Sequence, residues 1–199
     1  IMPTRARSQF AREALACFRA QTYEPRELVI MDDFDCPSFE DGVSEPGVIY
    51  ERVRQRMTIG AKRNLCCSRA NGDILCHLDD DDYSAPGRIA DQVQRLIESG
   101  KPVTGYRSMK LTDGVRWWLY TGAPDYALGT SLMYERDWWL QYGFEAIQVG
   151  EDNSFAGVAR GRGAIVSADA GEMMWARIHS GNTSVKDPHS NPALWRRLS

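Results

Sequence analysis

The chain has no apolar run near the roughly 20 residues that a membrane-spanning helix requires. Its composition, 43% hydrophobic and 26% charged, is that of a soluble globular protein. It lacks any Cys-x-x-Cys pair. The five cysteines, Cys17, Cys36, Cys66, Cys67 and Cys76, are odd in number and predict reduced thiols instead of a zinc site or a disulfide framework. Basic excess is also missing: 24 Lys and Arg against 27 Asp and Glu leave a net charge of -3. A broad nucleic-acid-binding surface is therefore not expected, although a local basic groove fits within that total. Arg5, Arg7 and Arg12 interrupt the apolar core that a signal peptide would need, so the simplest expectation is a cytoplasmic protein. Neither an internal repeat nor a linker breaks the 199 residues, a length suited to one domain.

What is present alternates strand, loop and helix. Ile1 to Thr4 reads as the end of a strand, with some upstream residues expected to precede it. Phe10, Ala14, Leu15 and Phe18 recur at helical spacing, with Ser8 placed to cap that helix and Pro25 to forbid its continuation. Leu28 to Met31 is a buried strand ending in Asp32-Asp33, the stretch 35–47 a polar loop, and Val48 to Tyr50 a second short strand. A helix starts at Gly60 and stops at Asn71-Gly72; the strand Ile74 to Leu78 runs into Asp79-Asp80-Asp81-Asp82; Pro86 opens a helix that Gly100 ends. This repetition predicts an α/β fold with a mixed, mostly parallel sheet flanked by helices. In the second half, Thr112-Asp113-Gly114 between β-rich runs predicts an antiparallel hairpin. Strands are expected at 129–134, 164–168 and 173–178, helices at 136–142 and 151–160. The polar tail 181–199, with Pro188 and Pro192, reads as a flap without regular structure.

Four successive aspartates repel one another unless a cation sits among them. Mg²⁺ or Mn²⁺ takes one or two carboxylates and completes its shell with substrate phosphate oxygens. In an open α/β sheet the carboxyl ends of the strands form the ligand crevice, and both Asp32-Asp33 and the aspartate run fall there. The alternative is a solvated acidic turn before the next helix. Glu151-Asp152 equally reads as a helix N-terminus.

The ordered motifs Met2-Pro3-Thr4-Arg5, Glu27 to Asp33, Gly60-Ala61-Lys62-Arg63-Asn64, Ala70-Asn71-Gly72-Asp73, Leu78 to Asp82 and Gly150-Glu151-Asp152 closely resemble the family-2 glycosyltransferases of the GT-A fold over roughly the first 160 residues. The resemblance implies a single, Rossmann-like GT-A domain with a nucleotide-binding half at 1–100 and an acceptor-binding, catalytic half at 101–180. It implies a metal-dependent, inverting transfer from a nucleotide-sugar donor, usually a UDP-sugar, to an acceptor hydroxyl of a glycan, lipid or small molecule. Pro3, Thr4 and Arg5 would border the donor, Asp32 would meet the base, and Arg63 would lie near base and diphosphate. Asp79 would open the acidic motif, Asp81 would lie near ribose and metal, Asp82 would be the principal metal ligand, and Asp152 the catalytic base. The family usually has a small residue where Asp80 stands.

His179 is a candidate further metal ligand, and Lys186 a candidate diphosphate contact. His77, among strand residues, reads as structural. Trp117, Trp118 and Glu151 are acceptor-side candidates, strand alternation allowing only one of the two tryptophans to face a cleft. Two other readings stay open: a sugar nucleotidyltransferase, although Pro3 to Ser8 lacks its glycine-rich phosphate loop, and a silent nucleotide- or glycan-binding module.

Overall fold

A computed structural model describes residues 1–33 and 35–198. Its strands are β1 Met2–Thr4, β2 Leu28–Asp33, β3 Val48–Val53, β4 Ile74–Cys76, β5 Tyr83–Ser84, β6 Val103–Thr112, β7 Trp117–Thr121, β8 Met133–Glu135, β9 Ile165–Asp169, β10 Met174–Arg177 and β11 Trp195–Arg197. The α-helices are α1 Ser8–Arg19, α2 Ile59–Arg69, α3 Arg88–Ser99, α4 Arg136–Tyr142 and α5 Glu151–Gly161. The first three strands pair in parallel in the order β1-β2-β3, with Thr4 opposite Asp32. A larger mixed sheet is built on β6, which pairs β9 and β10 in parallel and β7 and β8 antiparallel. The two sheets meet at the start of β1, where the Leu78 amide donates to Ile1 O at 3.0 Å.

Helix α1 forms because Ala11, Ala14, Leu15 and Phe18 share one stripe that buries against Leu28, Ile30 and Leu78. Ser8 is its first helical residue and not its cap. Arg7 holds the cap position with its side chain turned back into the protein, and the preceding Ala6 takes φ 55°. Thr58 caps α2, its hydroxyl accepting from Ala61 N, and α3 ends on the left-handed Gly100 as its sequence predicts.

Two expected elements differ. A strand over 129–134 is instead a 3-10 turn, Gly129–Ser131, followed by β8. Side chains take the backbone partners a strand would use: the Ser131 hydroxyl donates to Leu128 O and accepts from Tyr106 N, and His77 binds Gly129 O. The tail 181–199 contains β11, antiparallel to β7, with Trp195 opposite Tyr120. Pairing with the exposed edge of a distant hairpin strand orders a segment that has no local signal of its own. Among the described residues no helix is long and apolar enough to cross a membrane.

Candidate active site

A cleft of about 240 Å³ lies at the carboxyl ends of β1 and β4. Pro3, Arg7, Arg63, Asp79, Asp80 and Asp81 line it together with Gly129, Thr130, Glu151 and Asp152 and with the segment Asn182 to Lys186. Three carboxylates of the aspartate run and the Glu151-Asp152 pair thus face one space, whereas Asp32-Asp33, expected in the same crevice, is not part of its lining.

The four aspartates have separate partners. Asp79 receives a two-pronged contact from the buried Arg63, at 2.9 and 3.3 Å, while Arg63 Nε donates to Glu151 Oε1 at 3.2 Å. Burial alone would raise the Asp79 pKa; the Arg63 charge outweighs it and holds the carboxyl well below its usual range. Asp80 accepts from the Thr4 hydroxyl and from Arg7, both at 2.7 Å, yet burial and the adjacent Asp81 push its pKa upward. Asp81 stays ionised more readily: burial is overcome by hydrogen bonding from His179 and by the Arg7 charge. Its Oδ2 gathers Arg7 at 2.9 Å, His179 Nε2 at 3.0 Å and Asn182 at 3.3 Å. Asp82 turns away from the cleft. Its carboxylate accepts from the Thr130 hydroxyl at 2.6 Å and from Arg177 N at 2.9 Å, which ties the acidic run to the 3-10 turn and to β10.

The other predicted residues divide likewise. Pro3 and Lys186 line the cleft. Thr4 and His179 stand one layer behind, each bonded to a carboxylate of the wall. Arg5 pairs with Asp33 and Asp35 outside the cleft. Asp32 is fully buried, its carboxylate taken up by Ser38 N, Phe39 N and the Tyr50 hydroxyl, so it folds the 35–47 loop and does not border the cavity. Glu151 reaches the cleft, but its carboxylate is held by Arg63.

Neither tryptophan proposed for the acceptor side lines the cleft. Trp118 is buried beneath the Arg116 guanidinium, and Trp117 lies on the opposite sheet face against Trp175. The aromatic rings that do line it are Tyr120, Tyr126 and Trp195. Trp195 carries no signal in the sequence, since only the β11–β7 pairing brings it there. Arg7 was likewise unassigned, although an arginine three residues beyond a strand that ends in this crevice is a natural counter-ion.

Asp152 sits in the first turn of α5, whose preceding Gly150 has φ 92°. Its Oδ1 accepts from Asn153 N at 2.7 Å. Its Oδ2 packs on the Cα of Gly129, where a methyl group would come within 1.6 Å. Gly129 is fixed from behind by His77, whose Nδ1 lies 2.7 Å from Gly129 O. A carbonyl only accepts, so Nδ1 carries the proton and the buried, neutral ring takes a hydrogen bond from the Tyr134 hydroxyl at Nε2. His77 is structural, as its strand setting predicts.

Residues 1–169 match the sequence pattern described as Glycosyl transferase family 2. The chain belongs to glycosyl transferase family 2. Among solved structures this family-2 chain is similar to S. aureus TarS 1-349 in complex with UDP-GlcNAc, with a TM-score of 0.71 at 17% identity over 94% of this chain and 61% of that one. It is also similar to the mannosyltransferase PcManGT from Pyrobaculum calidifontis in complex with GDP-Man and Mn²⁺, with a TM-score of 0.66 at 15% identity, covering 92% of this chain and 57% of that one. The chain therefore spans about three-fifths of the length of these structures, and at such identities the likeness establishes a shared GT-A fold. Among curated proteins none matches.

Proposed function

We propose that this family-2 glycosyltransferase chain moves a sugar from a nucleoside diphosphate donor, with UDP the first base to test, to an acceptor hydroxyl with inversion at the anomeric carbon. The observation that carries the reading is the convergence of Asp79, Asp80 and Asp81 with Asp152 on one cleft. Asp152 is the base. With Oδ1 occupied by Asn153 N and Oδ2 free of hydrogen-bond partners among the described residues, the carboxylate can take the acceptor proton as the new bond forms. Arg63 keeps Asp79 ionised and, with Glu151, ties the donor wall to the start of α5. Lys186, whose Nζ donates to Arg177 O at 3.2 Å, is placed to turn a positive charge toward a diphosphate.

Among the described residues no set of three His, Cys, Asp or Glu is arranged around one point as a metal cage. Asp81 and His179 nevertheless fit a Mg²⁺ or Mn²⁺ whose remaining ligands come from the substrate, because Asp81 lines the cleft and only its Oδ2 is engaged, by Arg7 and by the 179–182 turn, which leaves Oδ1 without a hydrogen-bond partner among the described residues. Such a cation would stabilise the charge that develops on the departing diphosphate. In this reading Asp81, and not Asp82, is the principal carboxylate ligand, since Asp82 is spent on Thr130 and Arg177. Gly181 N donates to His179 Nδ1 at 3.1 Å, so the proton sits on Nε2, facing Asp81. Ligation through Nε2 requires that proton to leave and the 179–182 turn to adjust.

The test is nucleoside diphosphate release from a panel of UDP- and GDP-sugars with Mn²⁺, with Mg²⁺ and with chelator. Chelation should abolish turnover, and Asp152→Asn should lower kcat by roughly 10²- to 10⁴-fold at unchanged nucleotide affinity. Full turnover by Asp152→Asn, or turnover in chelator, removes the assigned roles.

A further inference from the structure

Beyond Asp152 the cleft changes character. Tyr120, Tyr126 and Trp195 present partly exposed rings there, above the side chains of Leu111 and Leu128. The rings form a cup and not a flat stack: Tyr120 meets Trp195 at 5.1 Å and 70°, and Tyr126 at 6.0 Å and 54°. The three come from β7, the 122–128 loop and the tail strand β11, so the cup exists only when β11 is paired with β7. Its rim is polar. Gln148, Asp152, Asn153, Thr183 and Ser184 share the lining of the same cleft. The Tyr126 phenol, surrounded by protein and beside Tyr120 and Asp152, is held above its ordinary pKa and remains a neutral hydroxyl able to donate or accept.

We infer that Tyr120, Tyr126 and Trp195 form an acceptor subsite for a sugar ring, so that the acceptor is a glycan or glycoside, not a plain alkyl alcohol. The inference rests on the glycosyltransferase reading above. A pyranose has an apolar C–H face that aromatic rings cover, and a girdle of hydroxyls that need polar partners at the edge. This cup offers both within one concavity that opens on Asp152. A lipid chain would be matched instead by a continuous apolar groove without the polar rim. Trp195 is the specificity-determining residue, because it closes the cup from a strand that contributes none of the aspartates of the donor wall.

Saturation-transfer NMR tests this without requiring turnover. Methyl glycosides of glucose, galactose, mannose and N-acetylglucosamine, with n-octanol as the alkyl comparison, are added to protein holding UDP or GDP with diamagnetic Mg²⁺, whichever binds. At least one glycoside should show transfer concentrated on ring C–H protons, and its affinity should fall roughly tenfold in Trp195→Ala and in Tyr120→Ala while Trp195→Phe stays within about threefold. Nucleotide affinity and the far-ultraviolet spectrum serve as controls for the donor site and for folding. If no glycoside binds, if n-octanol binds as well as the glycosides, or if folded Trp195→Ala binds them normally, the subsite assignment fails while the donor reading stands. If neither nucleotide binds, it is the glycosyltransferase reading that fails, and the subsite with it.

Discussion

Asp152 owes its position to a residue with no side chain. Gly129 has nothing to offer a substrate, yet any β-carbon there would occupy the space of the Asp152 carboxylate, and His77 prevents the Gly129 backbone from yielding. Gly129→Ala should therefore displace Asp152 and lower kcat by about 10²-fold or more, with nucleotide affinity within about twofold of the parent. Steady-state kinetics alongside nucleotide titration checks this; unchanged kcat would mean that helix α5 moves without consequence. Neighbours likewise set the aspartates apart. Four identical residues in a row acquire four environments: Arg63 for Asp79, Thr4 and Arg7 for Asp80, a cluster of donors for Asp81, and a backbone anchor for Asp82.

Among the elements, the segment joining β10 to β11 is the one that couples site and fold. His179 and Asn182 bond Asp81, Arg7 reaches Gly181 O, and Lys186 returns to Arg177 O. Most of its contacts are single polar bonds near solvent, so its opening free energy should be low. If a cation replaces the His179 proton at Asp81, this segment must rearrange and then be held by the ligand. Amide exchange across 179–186 should slow by roughly tenfold on addition of Mn²⁺ with UDP or GDP, with little change in β1 to β3. Equal protection before and after addition would separate the segment from cation binding. The sequence of this region reads as polar and proline-bearing, and nothing within it predicts β11. That strand exists because the β7 edge offers unpaired backbone groups and Trp195 finds Tyr120.

For the whole molecule, linkage gives the expected size of a ligand effect. A ligand present at 100 times its Kd adds ~2.7 kcal/mol to stability, which for a domain of this size raises Tm by roughly 5–10 °C. Mn²⁺ with UDP or GDP should produce such a shift, chelator should reverse most of it, and Asp81→Ala should show less than half of it. A shift that persists in Asp81→Ala would move the cation elsewhere along the acidic run.

Much of this architecture was legible beforehand. Helical spacing in α1 and α3, the Asp-Gly hairpin between β6 and β7, and apolar runs ending in carboxylates are local signals, and local backbone preferences and burial stripes act on residues a few positions apart. The motif order carried the family for the same reason, since it records residue types and spacings. What the chain of letters left open is which atoms face the cleft. Asp81 and not Asp82 points to His179, Asp32 closes a loop, and Trp195 replaces Trp117 and Trp118 beside the cleft. The partners lie from 6 residues away, for Asp32 and Ser38, to 98, for Asp81 and His179. Side-chain direction at a strand end is set by whichever distant donor or ring arrives first in a packed core, and only the assembled tertiary structure decides that.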